Sequence, residues 1–208
     1  MKNGVKLVSL AAACTVAAPV SALAADPALD DGPDAFGFGG FYGGVGLGVV
    51  SGAVNGDCCD YGAGTGIYGT GFAGFNFIYD NYIIGLEGSG IWGDKPGGDY
   101  AYGVHEIIDL KLRVGRTLEM APNTQIYLSA GWYKAEVAFY DEDYDGDSTG
   151  LSIGGGFETN LTEHIFIGVD GTVRFHNDWD GPGTSGDKDI GPIYSLMVRA
   201  GFRFGNMN

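Results

Sequence analysis

The chain has 208 residues, 39 of them glycine and only 7 proline, with 13% aromatics and a formal charge of −15. That aromatic content argues against disorder, and the glycines follow no three-residue period, which excludes a collagen-like chain. So large an acidic excess argues against nucleic acid as a partner, and against anionic surfaces unless divalent cations mediate the contact.

Residues 1–24 form a signal peptide. Lys2 and Lys6 supply its positive region, Leu7 to Val20 its apolar stretch, and Ala22 and Ala24 the small residues read at cleavage. Acylation at Cys14 is the weaker reading, because Ala11 stands where a larger hydrophobic residue is needed. Removing this segment takes away two lysines and no acid, so −15 becomes −17 in the mature chain. Residues 25–37, acidic from Asp26 to Asp34, read as a periplasmic N-terminal arm. No later stretch has the length and apolarity of a membrane helix, so a membrane crossing has to be made by a closed barrel of strands.

The strand candidates then follow in order. Phe38 to Val50 puts Phe41, Val45, Leu47 and Val49 on one face, and 51–64 reads as a loop. In Thr65 to Tyr79 the facing stays open, with Ala73, Phe75 and Phe77 outward as one register that turns Asn76 inward. After a tight turn at Asp80 and Asn81, Tyr82 to Trp92 places Ile84 and Leu86 opposite Glu87. Glu106 to Thr117 alternates Ile108, Leu110, Leu112 and Val114 with Asp109, Lys111 and Arg113.

A short turn near Ala121 to Asn123 leads to Gln125 to Tyr140, where Leu128, Ala130 and Trp132 suit one register and Val137 and Phe139 the other. A bulge near Tyr133 to Ala135 is expected to reconcile them. Leu151 to Thr159 turns Glu158 inward, Ile165 to His176 turns Asp170, Thr172 and Arg174 inward, and Pro192 to Phe204 alternates Tyr194, Leu196, Val198, Ala200 and Phe202 with Arg199 and Arg203.

Apolar side chains on one parity and charges on the other, repeated in an exported chain, specify lipid outside and a polar interior. The fold class is therefore all-β: an eight-stranded antiparallel transmembrane β-barrel of up-and-down topology over residues 38–204, with 205–208 a short tail. The long connections at 51–64, 93–103, 141–150 and 177–191 alternate with short ones, so the long loops face outward and carry half of the 26 acids.

The interior row is Glu87, Asp109, Glu158 and Asp170 against Lys111, Arg113, Arg174, Arg199 and Arg203. Near balance in so acidic a protein is what a salt-bridged plug requires, because a charge in a narrow low-dielectric interior is costly unless paired. Eight strands leave an interior that side chains just fill, which favours a plug over a small-solute channel with a charged lumen.

Asp141, Asp143, Asp145 and Asp147 copy the first half of a calcium loop, with Gly146 at its sixth position, but Ser152 stands at the twelfth where a bidentate Glu is needed. A solvated acidic loop is the preferred reading, and low-affinity cation bridging to lipopolysaccharide phosphates is the sharper one. Cys58 and Cys59 leave a vicinal disulfide, an intermolecular link and free thiols all open. Catalysis is not expected. His176 with Asp178 and Ser195 is the one arrangement worth testing among three histidines, and no cofactor is expected.

The segments Gly71–Phe77, Gly85–Gly88, Arg113–Gly115, Gly154–Glu158, Leu161–His164 and Val198–Phe204 resemble the small eight-stranded outer-membrane proteins of Gram-negative bacteria. They are most similar to the opacity-type family and the major surface proteins of alphaproteobacteria. The resemblance implies a multi-pass protein of the cell outer membrane, in contact with its lipid and lipopolysaccharide and inserted by the outer-membrane assembly machinery. It also implies an envelope structural protein, an adhesin binding a host or matrix ligand through its loops, or a weak porin. Family chains end on an aromatic, whereas here Phe204 is followed by four more residues.

Overall fold

The computed structural model describes residues 37–56, 59–61, 65–79, 82–93, 102–139, 145–180 and 188–204. The signal peptide, the arm up to residue 36, the 205–208 tail and Cys58 lie outside the described residues.

Eight long strands make the wall: β1 (Gly40–Gly56), β3 (Thr65–Tyr79), β4 (Tyr82–Gly93), β5 (Tyr102–Leu118), β6 (Ala121–Phe139), β7 (Asp145–Asn160), β8 (Ile165–Asp180) and β9 (Lys188–Phe204). The three-residue β2 (Cys59–Tyr61) folds back on the end of β1. Each long strand pairs antiparallel with the next, and β1 pairs with β9 from Phe41↔Phe204 to Gly56↔Lys188, so the sheet closes and no long strand is left as an edge.

The wall is inverted relative to a soluble protein. Leu47, Leu110 and Val198 are 62%, 57% and 56% exposed, whereas Glu158 and Arg174 are 0% and 1% exposed. Tyr82 and Trp92, both exposed, stand ten residues apart at opposite ends of β4. At about 3.4 Å per residue and a tilt near 40°, that separates two aromatic belts by roughly 25 Å, the height of a lipid-facing band. Tyr79, Phe77 and Phe204 join the belt at the short-turn end, and Trp132 the other.

Inside, glycine opposes bulk. A Cβ added at Gly74 would come within 2.5 Å of the Tyr42 ring. The chain enters at Gly40, whose φ of 94° is open to glycine and strained for other residues, and this turn tucks Phe38 beneath the lumen at 2% exposure.

The open facing of the second long strand is settled in the register offered, with Phe77 outward and Asn76 inward: Ile67 also points to lipid, and Tyr68 and Phe72 also point inward. Several other expectations need correction. The bulge expected at Tyr133 to Ala135 is absent, because the β6–β7 register runs unbroken from Thr124↔Thr159 to Ala138↔Asp145. Tyr133 and Ala135 keep the inward parity and are buried in an apolar stretch of lumen, and the irregularity lies instead opposite, between Val104 and Glu106 on β5.

The turn placed at Ala121 to Asn123 is Glu119 and Met120, with Ala121 already in β6. The connections expected at 51–64, 141–150 and 177–191 are shorter, since β1 reaches Gly56, β7 begins at Asp145, β8 reaches Asp180 and β9 begins at Lys188. Beyond the hydrocarbon a strand meets water on its outer face, so its glycines and aspartates no longer alternate with apolar residues.

Candidate functional site

Strand alternation aims one row of side chains from each long strand at the barrel axis. All nine charged residues expected inside are buried there: Glu87 on β4; Asp109, Lys111 and Arg113 on β5; Glu158 on β7; Asp170 and Arg174 on β8; Arg199 and Arg203 on β9.

Glu87 is the hub. Its Oε2 accepts hydrogen bonds from Arg199 Nη2 at 2.6 Å, Arg113 Nη1 at 2.8 Å and the Tyr42 hydroxyl at 3.0 Å, and its Oε1 from Arg199 Nη1 at 3.2 Å. Arg113 extends the chain of charges by donating from Nη2 to Glu158 Oε1 at 2.8 Å, and the other Glu158 oxygen accepts from Arg203 at 2.9 Å and from Gln125. Asp170 takes the Tyr127 hydroxyl at 2.8 Å and Lys111 at 3.3 Å. Arg174 closes a separate pair by donating from Nε and Nη2 to Asp109, the latter at 2.7 Å, while Nη1 donates to Ser195 at 2.9 Å.

Every carboxylate thus meets at least one guanidinium or ammonium, the condition under which charge is tolerated away from water. Guanidinium faces lie on aromatic rings as well, Arg113 over Tyr127 and Arg199 over Phe72, both 3.7 Å from the ring centroid.

Tyr42, Gln125 and Tyr127 are members that sequence reasoning missed. Their signal was present, because each sits on the same parity as the charges of its strand or of its neighbours. Neutral polar residues lack the contrast with hydrocarbon that exposes a charge.

Apolar layers adjoin the charged column. Toward the long loops, Val50, Tyr68, Ile91, Ile107, Tyr133, Ile193 and Met197 pack together inside the wall. Toward the short turns, Tyr42, Phe72 and Phe166 form a second buried cluster, and the Phe38 carbonyl below accepts hydrogen bonds from Asn76 and Arg203. Chemically, such a column holds its charges in fixed pairs.

The remaining candidates separate. Asp145 and Asp147 lie on the β7 ladder, paired with Ala138 and Glu136, rather than in a connection. Asp147 instead pairs with Lys134 at 2.7 Å, outside the apolar band, and that hydrogen bond raises the Lys134 pKa above its ordinary value. Asp141 and Asp143 lie outside the described residues. The same is true of Cys58 and of the Cys59 side chain, although the Cys59 backbone is in β2.

His176 does not meet Ser195, which serves Arg174. Its Nδ1 contacts the hydroxyls of Tyr133 and Ser148, and its Nε2 lies 2.9 Å from the Gly191 carbonyl. Nε2 therefore carries the proton and Nδ1 accepts. Among the described residues no group of three or more His, Cys, Asp or Glu is placed to hold a metal ion.

The family model for the outer membrane protein beta-barrel domain matches residues 10–204. Among solved structures, the chain is similar to Ail, the attachment invasion locus protein of Yersinia pestis, at 13% identity over 80% of this chain and 100% of that one, with a TM-score of 0.51. Ail in complex with the heparin analogue sucrose octasulfate gives 12% identity, 79% and 99% coverage and a TM-score of 0.51. Neisserial surface protein A gives 14%, 79%, 97% and 0.49. At such identities the likeness is one of fold. No curated protein matches the chain.

Proposed function

Because the chain belongs to the outer membrane protein beta-barrel domain family and so resides in the cell outer membrane, we propose that it works there as a surface and envelope structural protein, closed to solutes. One observation carries this reading: the cross-section that a channel would leave to water is filled by Glu87, Arg113, Glu158, Asp170 and Arg199 bonded to one another. A barrel with that interior acts through what it displays. Strands that extend past the outer aromatic belt raise the connections between them into the medium, and those connections are rich in aspartate.

Ail is an attachment protein by its name, and one of its structures holds a heparin analogue. The surface charge here favours the opposite chemistry. With −15 overall and aspartates at the strand ends, the loops suit a basic patch on a host or matrix protein better than a sulfated sugar. Cells displaying the protein should adhere to a surface coated with a basic protein such as histone, and less to one coated with heparin. Asp141, Asp143, Asp178 and Asp187 changed together to Asn should weaken the former adhesion.

The reading includes no catalysis. The one described serine in contact with a histidine, Ser148, is 0% exposed inside the lumen, out of reach of a lipid ester at the outer wall.

Planar bilayers test the closed lumen. The proposal expects no stable conductance from reconstituted wild-type protein at ±100 mV or so, a potential worth about 2.3 kcal/mol per charge. Steady steps whose ion selectivity changes on Glu87→Gln substitution would make the protein a channel and overturn the reading.

A further inference from the structure

We propose that the lumen binds one small monovalent anion, of the size of chloride, beside Lys111. The argument begins with charge. Among the described residues, the interior holds Glu87, Asp109, Glu158 and Asp170 against Lys111, Arg113, Arg174, Arg199 and Arg203, four negative charges against five positive ones. Asp109 and Arg174 neutralise each other, which leaves three carboxylates to satisfy four cations. An uncompensated charge enclosed in hydrocarbon and side chains is strongly unfavourable, so the interior demands one further negative charge or the loss of a proton.

Geometry says where the surplus sits. Arg113, Arg199 and Arg203 each have a carboxylate oxygen within 2.9 Å. Lys111 does not: its Nζ lies 3.3 Å from Asp170 Oδ1, 3.5 Å from Thr172 Oγ1 and 3.8 Å from Glu87 Oε1, all beyond the roughly 2.7–2.9 Å of a charge-assisted bond. Lys111 also borders a cavity of about 10 Å³, together with Arg174, Arg199 and Ser89. That is about the space one water needs; a halide is larger, and the flexible Lys111 and Met197 side chains around the cavity have to shift to admit it.

Donors are in surplus too. Arg199 Nε is buried without a hydrogen-bond partner. Glu87 and Asp170 also border the cavity, but their oxygens are already engaged by Arg113, Arg199, Tyr42, Tyr127 and Lys111. The inference goes beyond the surface role and holds whether or not the loops bind a ligand.

The folded barrel in a neutral detergent is unfolded in chloride or bromide, with gluconate replacing the halide at constant ionic strength, and crystals are soaked in bromide for anomalous scattering. The expected result is an unfolding midpoint that rises with halide and saturates as a single site does, with an anomalous peak next to Lys111 Nζ. In Lys111→Met both the halide response and the peak vanish. Ser89→Ala, which keeps the charges, weakens the response several-fold and serves if Lys111→Met does not fold. Equal wild-type midpoints in chloride and gluconate overturn the proposal, and so does a bromide map with no peak beside Lys111.

Discussion

Glu87→Gln isolates the charge at the centre of the barrel. The substitution preserves shape, yet it presents an amide where Arg199 at 2.6 Å, Arg113 at 2.8 Å and Tyr42 at 3.0 Å all donate to one oxygen. It also widens the excess of lumen cations over acids from one to two. Removing one partner of a buried ion pair costs about 3–5 kcal/mol, because the other charge is stranded. Replacing both partners is far milder, so Glu87→Met with Arg199→Met should recover a large part of that loss, a coupling of about 1–3 kcal/mol. Lys111→Met, by contrast, brings acids and bases to parity and should cost less than about 1 kcal/mol. The assay is urea unfolding of protein folded into lipid vesicles, read as the interconversion of the two bands that unboiled and boiled barrels give on a gel. A Glu87→Gln barrel within about 1 kcal/mol of wild type, or a double variant whose loss is the plain sum of the singles, would refute the network as a source of stability.

Arg199→Met alone should lower the urea midpoint by less than Glu87→Gln, because Glu87 keeps Arg113 and the Tyr42 hydroxyl; an equal or larger loss counts against the charge asymmetry. Glycine substitutions should divide by face. Gly48→Val drives a side chain into the Leu196 carbonyl and the Met197 sulfur and should abolish the folded band, whereas Gly88→Val, with nothing within 4 Å of its Cβ, should leave it intact. Leu110→Arg, at mid-height on the lipid face, should cost about 2–4 kcal/mol in the same vesicle titration, as a charge at the bilayer midplane does.

Where hydrocarbon abuts charge across the wall, the strand reading was direct. Leu110 beside Asp109 and Lys111, or Val198 beside Arg199, leaves one way to orient the strand. Legibility failed where that contrast vanished. Val137 and Phe139 suggest a bulge because apolar residues on the inward parity, which they share with the buried Tyr133 and Ala135, look like lipid-facing ones. The stretch from Ser51 to Gly56 and the residues Asp145 and Asp147 looked like loop, because a strand standing in water has no hydrocarbon to alternate against. The nine lumen charges were visible one strand at a time, but their partners were not. Which acid meets which base depends on the stagger between strands far apart in the chain, as in Arg199 reaching Glu87 across 112 positions.

The seam between β1 and β9 has a consequence for how the molecule comes into being. Arg203, next to the last residue of the wall, grips both Glu158 and the carbonyl of Phe38, the latter across 165 positions. Such a fastening stays open until the final strand has been synthesised and delivered. Loss of a few residues at either terminus of the wall would therefore leave an unzipped sheet rather than a slightly weaker cylinder.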